Sequence, residues 1–330
     1  MNALLTSIRE KLPSLNRRNP DEPSTVGRRI GTGVGILFIA ALLYYPIGML
    51  VTHKINDDVQ YSVSKGEQLP NGSRAVTIAI KLIERETQDS TWTANKPIVF
   101  PSSMLDNMPN FQVGQIYAVS RFAIEMTDVL GRTRGTSQVD EDLDKASGLL
   151  KYDGTIWHWD PSTSLLPTAS AEKQYRAATK SLRRYNERLN DGSAVLDRRA
   201  DNLIAFLERV SNDLGSVSAT LDQRAIGSNL GWFDTDADDI FYSTKGRLYG
   251  YYMVLRELGR DFDKVIADRE LSASWARMLD SLRQAASLDP IIVVNGAPDG
   301  ALMPSHLASL GFYLLRARTQ LREITNILQK

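Results

Sequence analysis

The chain of 330 residues has no cysteine. Disulfides, thiolate nucleophiles and cysteine-held metals are excluded together, so stability has to come from a packed core, which a chain of this length can build. Histidine is almost as scarce: His53, His158 and His306 are the whole supply, and they are scattered. No H-E-x-x-H and no histidine pair at i,i+4 offers a zinc site. The G-x-S-x-G, S-x-x-K and G-x-x-x-x-G-K-[ST] signatures are absent as well. A lone G-x-G-x-G, from Gly31 to Gly35, lies in an apolar run where no dinucleotide can bind. These absences lead us to expect no cofactor. Formal net charge is +0; residues 1–29 carry six basic and three acidic side chains, which leaves −3 for the rest. Such a balance gives no electrostatic footprint for nucleic acid.

Against this background one stretch stands out. Residues 30–51, IGTGVGILFIAALLYYPIGMLV, contain no charge in a protein that is 24% charged. At about 1.5 Å per residue, a helix of this length covers the roughly 30 Å hydrocarbon core of a bilayer. A cleaved signal is a poor fit, because the run is long, starts after 29 residues, and is followed by Thr52-His53-Lys54 instead of a small-residue cleavage site. The reading is an uncleaved anchor in the lipid bilayer. Arg9, Lys11, Arg17, Arg18, Arg28 and Arg29 precede it, whereas only Lys54 follows before Asp57 and Asp58, so the short arm is expected in the cytoplasm and the large remainder outside it. A single-pass inner-membrane protein with its bulk in a Gram-negative periplasm fits these features. Gly27, Gly31 and Gly35 recur every four residues, a small-xxx-small face that would let two membrane helices approach. Glycine is also simply common in membrane helices.

The chain then divides into an arm (1–29), the span (30–51), a polar linker holding the body away from the membrane (52–70), and a helical domain (71–330). Helical stripes recur over residues 73–88, 110–130, 239–260 and 264–286. Two of them are heptad seams. One runs through Leu196, Ala200, Leu203, Leu207, Val210, Leu214, Val217 and Leu221; the other runs from Leu307 to Leu328 behind Ser305, a good N-cap. Residues 175–189 share the rhythm, and Asn190-Asp191-Gly192 supplies a turn, which predicts an antiparallel hairpin with the first seam. Ordinary bundle helices would show the same spacing. Extended structure is limited to residues 155–159 and 291–294, a possible two-stranded ribbon. The fold class expected is all-α: one transmembrane helix followed by a helical bundle.

Three constellations are candidate sites. Asp234, Asp236 and Asp238, with Asp239, resemble the start of a calcium loop, but Asp239 stands where a glycine is needed and Lys245 where a glutamate belongs. Helix capping is the competing reading. Trp157 and Trp159 would share one face of a strand, a platform for a glycan ring or the membrane interface; a plug in a helical core is the alternative. Arg121, Glu125, Asp128 and Arg132 step along one helix as opposite charges at i,i+3 and i,i+4. They pair internally, or Glu125 and Asp128 act as catalytic carboxylates. Downstream, Ser137-x-x-Asp140 reads as a capping box.

The strings FPSSMLDNMPNFQVG, SRFAIEMTDVLGRTRGTSQVD and GLLKYDGTIW, with YYPIGML-x-x-HKI-x-DD at the end of the span and Tyr242, Gly246 and Tyr249 later, resemble the bacterial family called domain of unknown function 2333. The resemblance covers nearly everything from the span onward. It implies an inner-membrane protein with a large envelope domain and no assigned activity, so it transfers no catalytic residue. Two functions remain as expectations. One is a non-enzymatic scaffold or complex subunit that contacts a protein partner or a second copy. The other is an anchored binder or hydrolase of cell-wall glycan using these carboxylates beside the tryptophans.

Overall fold

The structure, a computed structural model, describes residues 25–131, 139–159, 165–227, 234–296 and 304–330. Ten α-helices are present among them: α1 Thr25–Thr52, α2 Arg74–Glu84, α3 Asn107–Glu125, α4 Glu141–Leu150, α5 Ala171–Asn190, α6 Ala200–Gly227, α7 Thr235–Asp261, α8 Asp263–Asp268, α9 Ser272–Ala286 and α10 His306–Leu328. No strand occurs among the described residues, so the all-α expectation holds. The ribbon proposed for residues 155–159 and 291–294 does not form. The carbonyls of Ile156 and His158 instead accept from Ala171 and Thr168 at 3.0 and 2.8 Å, so the approach to α5 satisfies that backbone.

Helix α1 is apolar enough to cross a membrane, with a mean hydropathy of 2.2 over its best window. That is consistent with a membrane anchor or a signal sequence. Most of the arm expected over residues 1–29 lies outside the described residues. Two compact units are distinguished: one ends at Ile47 and the other, the body, is Gly48–Lys330.

The body is built on α3 and α7, which lie side by side and point the same way. Their backbones meet because glycine stands at the crossing points. A methyl at Gly114 would strike the Ser243 carbonyl, and one at Gly246 would strike the Phe111 carbonyl. At Gly250 it would come within 2.8 Å of Ala118 Cβ and 3.1 Å of the Gln115 carbonyl. Around this pair α7 is buried on nearly every face, which is what a central helix requires; Phe241, Tyr249, Tyr251 and Lys245 are among the largest fully enclosed side chains. At its far end Asp261 reaches back to α2, accepting from Ser73 Oγ at 2.6 Å and from the Arg74 and Ala75 amides at 2.9 and 3.1 Å. A remote carboxylate thus completes the cap begun by Ser73, whose hydroxyl accepts from the Val76 amide.

The expected hairpin is corrected. Helix α5 packs on α4 and α2, whereas α6 packs on α10. The two heptad seams found in the sequence therefore meet each other, antiparallel: Gln329 reaches Glu208 at 3.1 Å, Arg318 donates to the Ser211 carbonyl at 3.1 Å, and Gly311 lies beside Leu221. Leu196 falls before α6, because residues 191–199 form a connector that redirects the chain. Gly192 turns it with a φ of 77°, and the Asp197 amide binds the Leu130 carbonyl at 2.8 Å. The cap of α4 is Asp140, which accepts from the Asp142 and Leu143 amides; Ser137 lies outside the described residues.

Gly246→Ala should cost about 1–3 kcal/mol by forcing the central pair apart. Gly148→Ala, in α4 with open space around it, should gain about 0.5–1 kcal/mol. Urea denaturation of the two variants reads both signs.

Candidate functional site

Residues 52–70 do not behave as a spacer. Ile55, Val59 and Tyr61 pack against the core, and the run from Asn56 to Tyr61 is gripped by cations and a phenol of the body. Arg85 donates to the Asn56 carbonyl at 2.6 Å and to Tyr249 Oη at 2.9 Å, and Tyr249 donates on to the Asp58 carbonyl at 2.9 Å. Arg256 donates to the carbonyls of Val59 and Tyr61 at 3.1 and 2.6 Å. Lys245, with no exposed side-chain surface, places Nζ 2.6 Å from Asp57 Oδ2. The Arg85 guanidinium also lies 4.7 Å from the Tyr61 ring centroid. A polar segment can thus run against the core because the carbonyls of Asn56, Asp58, Val59 and Tyr61 and the Asp57 carboxylate are matched.

The local fold explains how Arg85 gets there. After α2 the helix widens into a π-turn, Arg85–Asp89, and the extra residue rotates Arg85 and Glu86 inward. Glu86 has no exposed side-chain surface. It accepts from Gln112 at 3.0 Å and Asn56 at 3.3 Å, with Arg85 Nε 3.5 Å away. Burial pushes its carboxyl above the usual range, against the pull of Arg85. Gln112 and Gln115 on α3 complete the network: Gln112 accepts from Thr93, and Gln115 accepts from Arg85 at 3.2 Å.

The acidic candidates are distributed differently from the sequence expectation. Asp234 is buried as the cap of α7, accepting from the Ala237 amide and from Asn295, and it pairs with Arg224. Asp236 is exposed and meets the same arginine at 3.0 Å. Asp238 turns towards α3, where Asn107, with its amide nitrogen facing the carboxylate, donates at 2.6 Å. Asp239 accepts from Asn110 at 2.7 Å. The calcium reading is corrected accordingly: the alternate aspartates diverge, one spent on a cap and an arginine, and among the described residues no group of three acidic or histidine side chains is arranged to hold a metal.

Glu125 is buried and Asp128 exposed. Arg209 and Arg121 stand 3.7 and 3.8 Å from Glu125, and burial raises its pKa against their pull. The fourth member of that series, Arg132, lies outside the described residues. Fifteen residues of helix separate Glu125 from Asn110, the partner of Asp239, which is about 22 Å. Trp157, half-buried, and Trp159, exposed, lie on a loop beside Asn95, which donates to the Ile156 carbonyl at 3.0 Å. They do not share a strand face, and Glu125 stands about 22 Å along α3 from the partner of Asp239, so Glu125 and the carboxylates at 234–239 do not form one cleft. Gly31 and Gly35 have open space around them within the chain.

A family model described as an uncharacterized protein conserved in bacteria, DUF2333, matches residues 34–231 and 228–330. The chain belongs to this family. No curated protein matches it. No solved structure matches it either.

This DUF2333 chain has a second polar centre that no motif announced, a cleft of about 320 Å³ whose lining includes Asn110, Asp239, Ser243, Ser216 and Arg247. Asp213 accepts from Tyr117 and Tyr251, both at 2.8 Å. Arg247 stacks 3.7 Å over the Tyr117 ring and lies 3.4 Å from Asp213, so its charge is largely answered from within.

Arg85→Met should destabilise the body by about 3–5 kcal/mol, since it strands Glu86 and three acceptors. Glu86→Gln should cost much less, because burial already favours the protonated acid, and the double variant should recover part of the Arg85→Met loss. A denaturation double-mutant cycle measures this. Asp238 offers a pH test: burial first, then Asp106 and Asp239, push its carboxyl up to about 6. It binds its proton more tightly folded than unfolded, so its contribution is full below about pH 4 and is lost as pH rises through about 6. Asp238→Asn should therefore stabilise at pH 8 by roughly 1 kcal/mol after screening, and little at pH 4.

Proposed function

We propose that this chain is a single-pass inner-membrane protein, with its N-terminus in the cytoplasm and its body in the periplasm, that works as a non-enzymatic scaffold or complex subunit. The grip on residues 56–61 carries this reading. Fully or nearly enclosed Arg85, Glu86, Lys245 and Tyr249 are committed to fixing the segment that leaves the apolar helix. Burying charge is expensive unless every partner is supplied. The result is a body held at a set position relative to the exit of its anchor, as a scaffold requires and a tethered free enzyme does not. The bias of arginine and lysine before the span supports the orientation, and the Gly27, Gly31 and Gly35 face supports self-association through the membrane.

Because the protein has no cysteine, one can be introduced at a chosen site. With Ser7→Cys in the arm and Glu323→Cys in the body, a membrane-impermeant maleimide applied to spheroplasts should label only the body variant. Labelling of the arm alone would reverse the topology. Detergent extraction should bring down a reproducible partner or a homodimer; a monodisperse, partnerless monomer would remove the scaffold reading.

A further inference from the structure

Loops of the body expose large apolar side chains at one end. That end is marked by the last turn of α1, residues 48–52, which belongs to the body. Gly48 abuts Pro101 so closely that a side chain there would collide with the ring. The Lys54 amide donates to Met108 Sδ at 3.3 Å, which places the start of α3 beside the same turn. Because α7 runs parallel to α3, its start lies at this end too, and so do the neighbours of both.

Three loops lie towards that end. Residues 97–104 expose Ile98 (70%), Val99 (63%), Phe100 and Met104. The loop carrying Trp159 and Leu165 (86% exposed) is joined to it through Asn95 and the Ile156 carbonyl. The loop after α9 is drawn in by Lys245, which lies between Asp57 and Asp289 at 2.6 and 3.5 Å, and it fully exposes Ile291 with Ile292 beside it. The opposite end behaves differently. Among the described residues its loops expose one large apolar side chain, Val195.

We propose that this end of the body is a lipid-contacting surface, with residues 97–104, Trp159, Leu165 and Ile291–Ile292 dipping into the leaflet from which α1 emerges. The proposal rests on α1 being a span, and depth is the argument. If residues 30–51 fill the hydrocarbon, Gly48 lies about 5 Å inside its outer boundary. Pro101, in contact with Gly48, sits at that same level, and its neighbours Ile98, Val99 and Phe100 meet acyl chain and headgroup. Contiguous exposed apolar patches mark interaction sites, and tryptophan is favoured at the level of the headgroups. Of the acidic groups at this end, Asp57 and Asp289 share the Lys245 charge, whereas Asp106, Asp238 and Asp239, at the starts of α3 and α7, meet the amides of Asn107 and Asn110 and have to stay at the level of the headgroups. A second copy of the chain would also cover apolar side chains, but the continuity of the patch with the exit of the helix favours lipid.

The test uses the full chain. Single-cysteine variants Val99→Cys, Ile291→Cys, Val195→Cys and Leu43→Cys, each labelled with an environment-sensitive fluorophore, are reconstituted in phosphatidylethanolamine–phosphatidylglycerol vesicles carrying spin-labelled acyl chains. The probes at 99 and 291 should be quenched to at least half the extent of the probe at 43, and the probe at 195 should stay within error of unquenched. If 43 is quenched while 99 and 291 match 195, the surface does not touch lipid and the proposal falls, though the anchor stands. If 43 itself is not quenched, the anchored reading fails and takes the proposal with it. If 99 and 291 are shielded from both lipid and aqueous quenchers, increasingly so at higher protein density, a second copy occupies the patch and lipid is overturned as the occupant. All three exposed positions tolerate a label without touching the core.

Discussion

The close contact of α3 with α7 is the constraint on which the rest of the body depends. Two helices running the same way cannot be joined by a short loop, so the chain between them has to make a long excursion. Here it does so through α4, α5 and α6, which become the layers around the pair. Backbone approach at Gly114, Gly246 and Gly250 leaves no room between the two axes, so the aromatic bulk of α7 turns outward on its other faces. Phe241, Tyr249 and Tyr251 become the core against which α2, α6, α9 and α10 settle. Glycine in a helix interior weakens it by about 1 kcal/mol; at Gly114, Gly246 and Gly250 the close approach of the neighbouring backbone offsets that cost.

How much of this was legible in the sequence depends on what each signal reports. Apolar spacing reports which face is buried, and so the stripes of α2, α3, α6, α7, α9 and α10 were recognisable. Spacing does not report the partner, because any heptad seam suits any other. The turn at Gly192 suggested the nearer mate, and the connector pinned at Leu130 delivered the farther one. Asp140 was read as the far member of a capping box and is itself the cap. The cap at Ser305 was readable, since it acts through an amide three residues away. The cap supplied by Asp261 was not, as it comes from 187 residues downstream.

The polar interior was hidden for a related reason. The stripe over residues 73–88 says nothing of Arg85 and Glu86, and Asn56, Asp57 and Asp58 fall within the polar linker expected over residues 52–70. Each set would be exposed if the other were absent. It is their mutual satisfaction that lets both be buried, and the π-turn that aims Arg85 inward leaves no mark in the pattern of residue types. Lys245 was weighed only against a calcium loop, and nothing in that spacing showed that it holds Asp57. Asp234 is the cap that the competing reading offered, whereas the rise in Asp238 comes first from burial and then from Asp106, more than a hundred residues away in sequence.

Buried charge of this kind is what the proposed role rests on. An ion pair enclosed in a core adds little net stability over an apolar substitute, because desolvation offsets most of the attraction. Its effect is to make one arrangement much better than its near neighbours: a register shift of the segment at 56–61 by one residue would leave Arg85, Lys245 and Arg256 each facing the wrong group. A purely apolar contact would tolerate such slippage. The fold therefore spends its most demanding interactions on setting where the chain leaves the apolar helix relative to the body. Lys245 also draws in the loop that exposes Ile291 and Ile292, and the proposed lipid contact rests on this joining of helix exit and apolar loop.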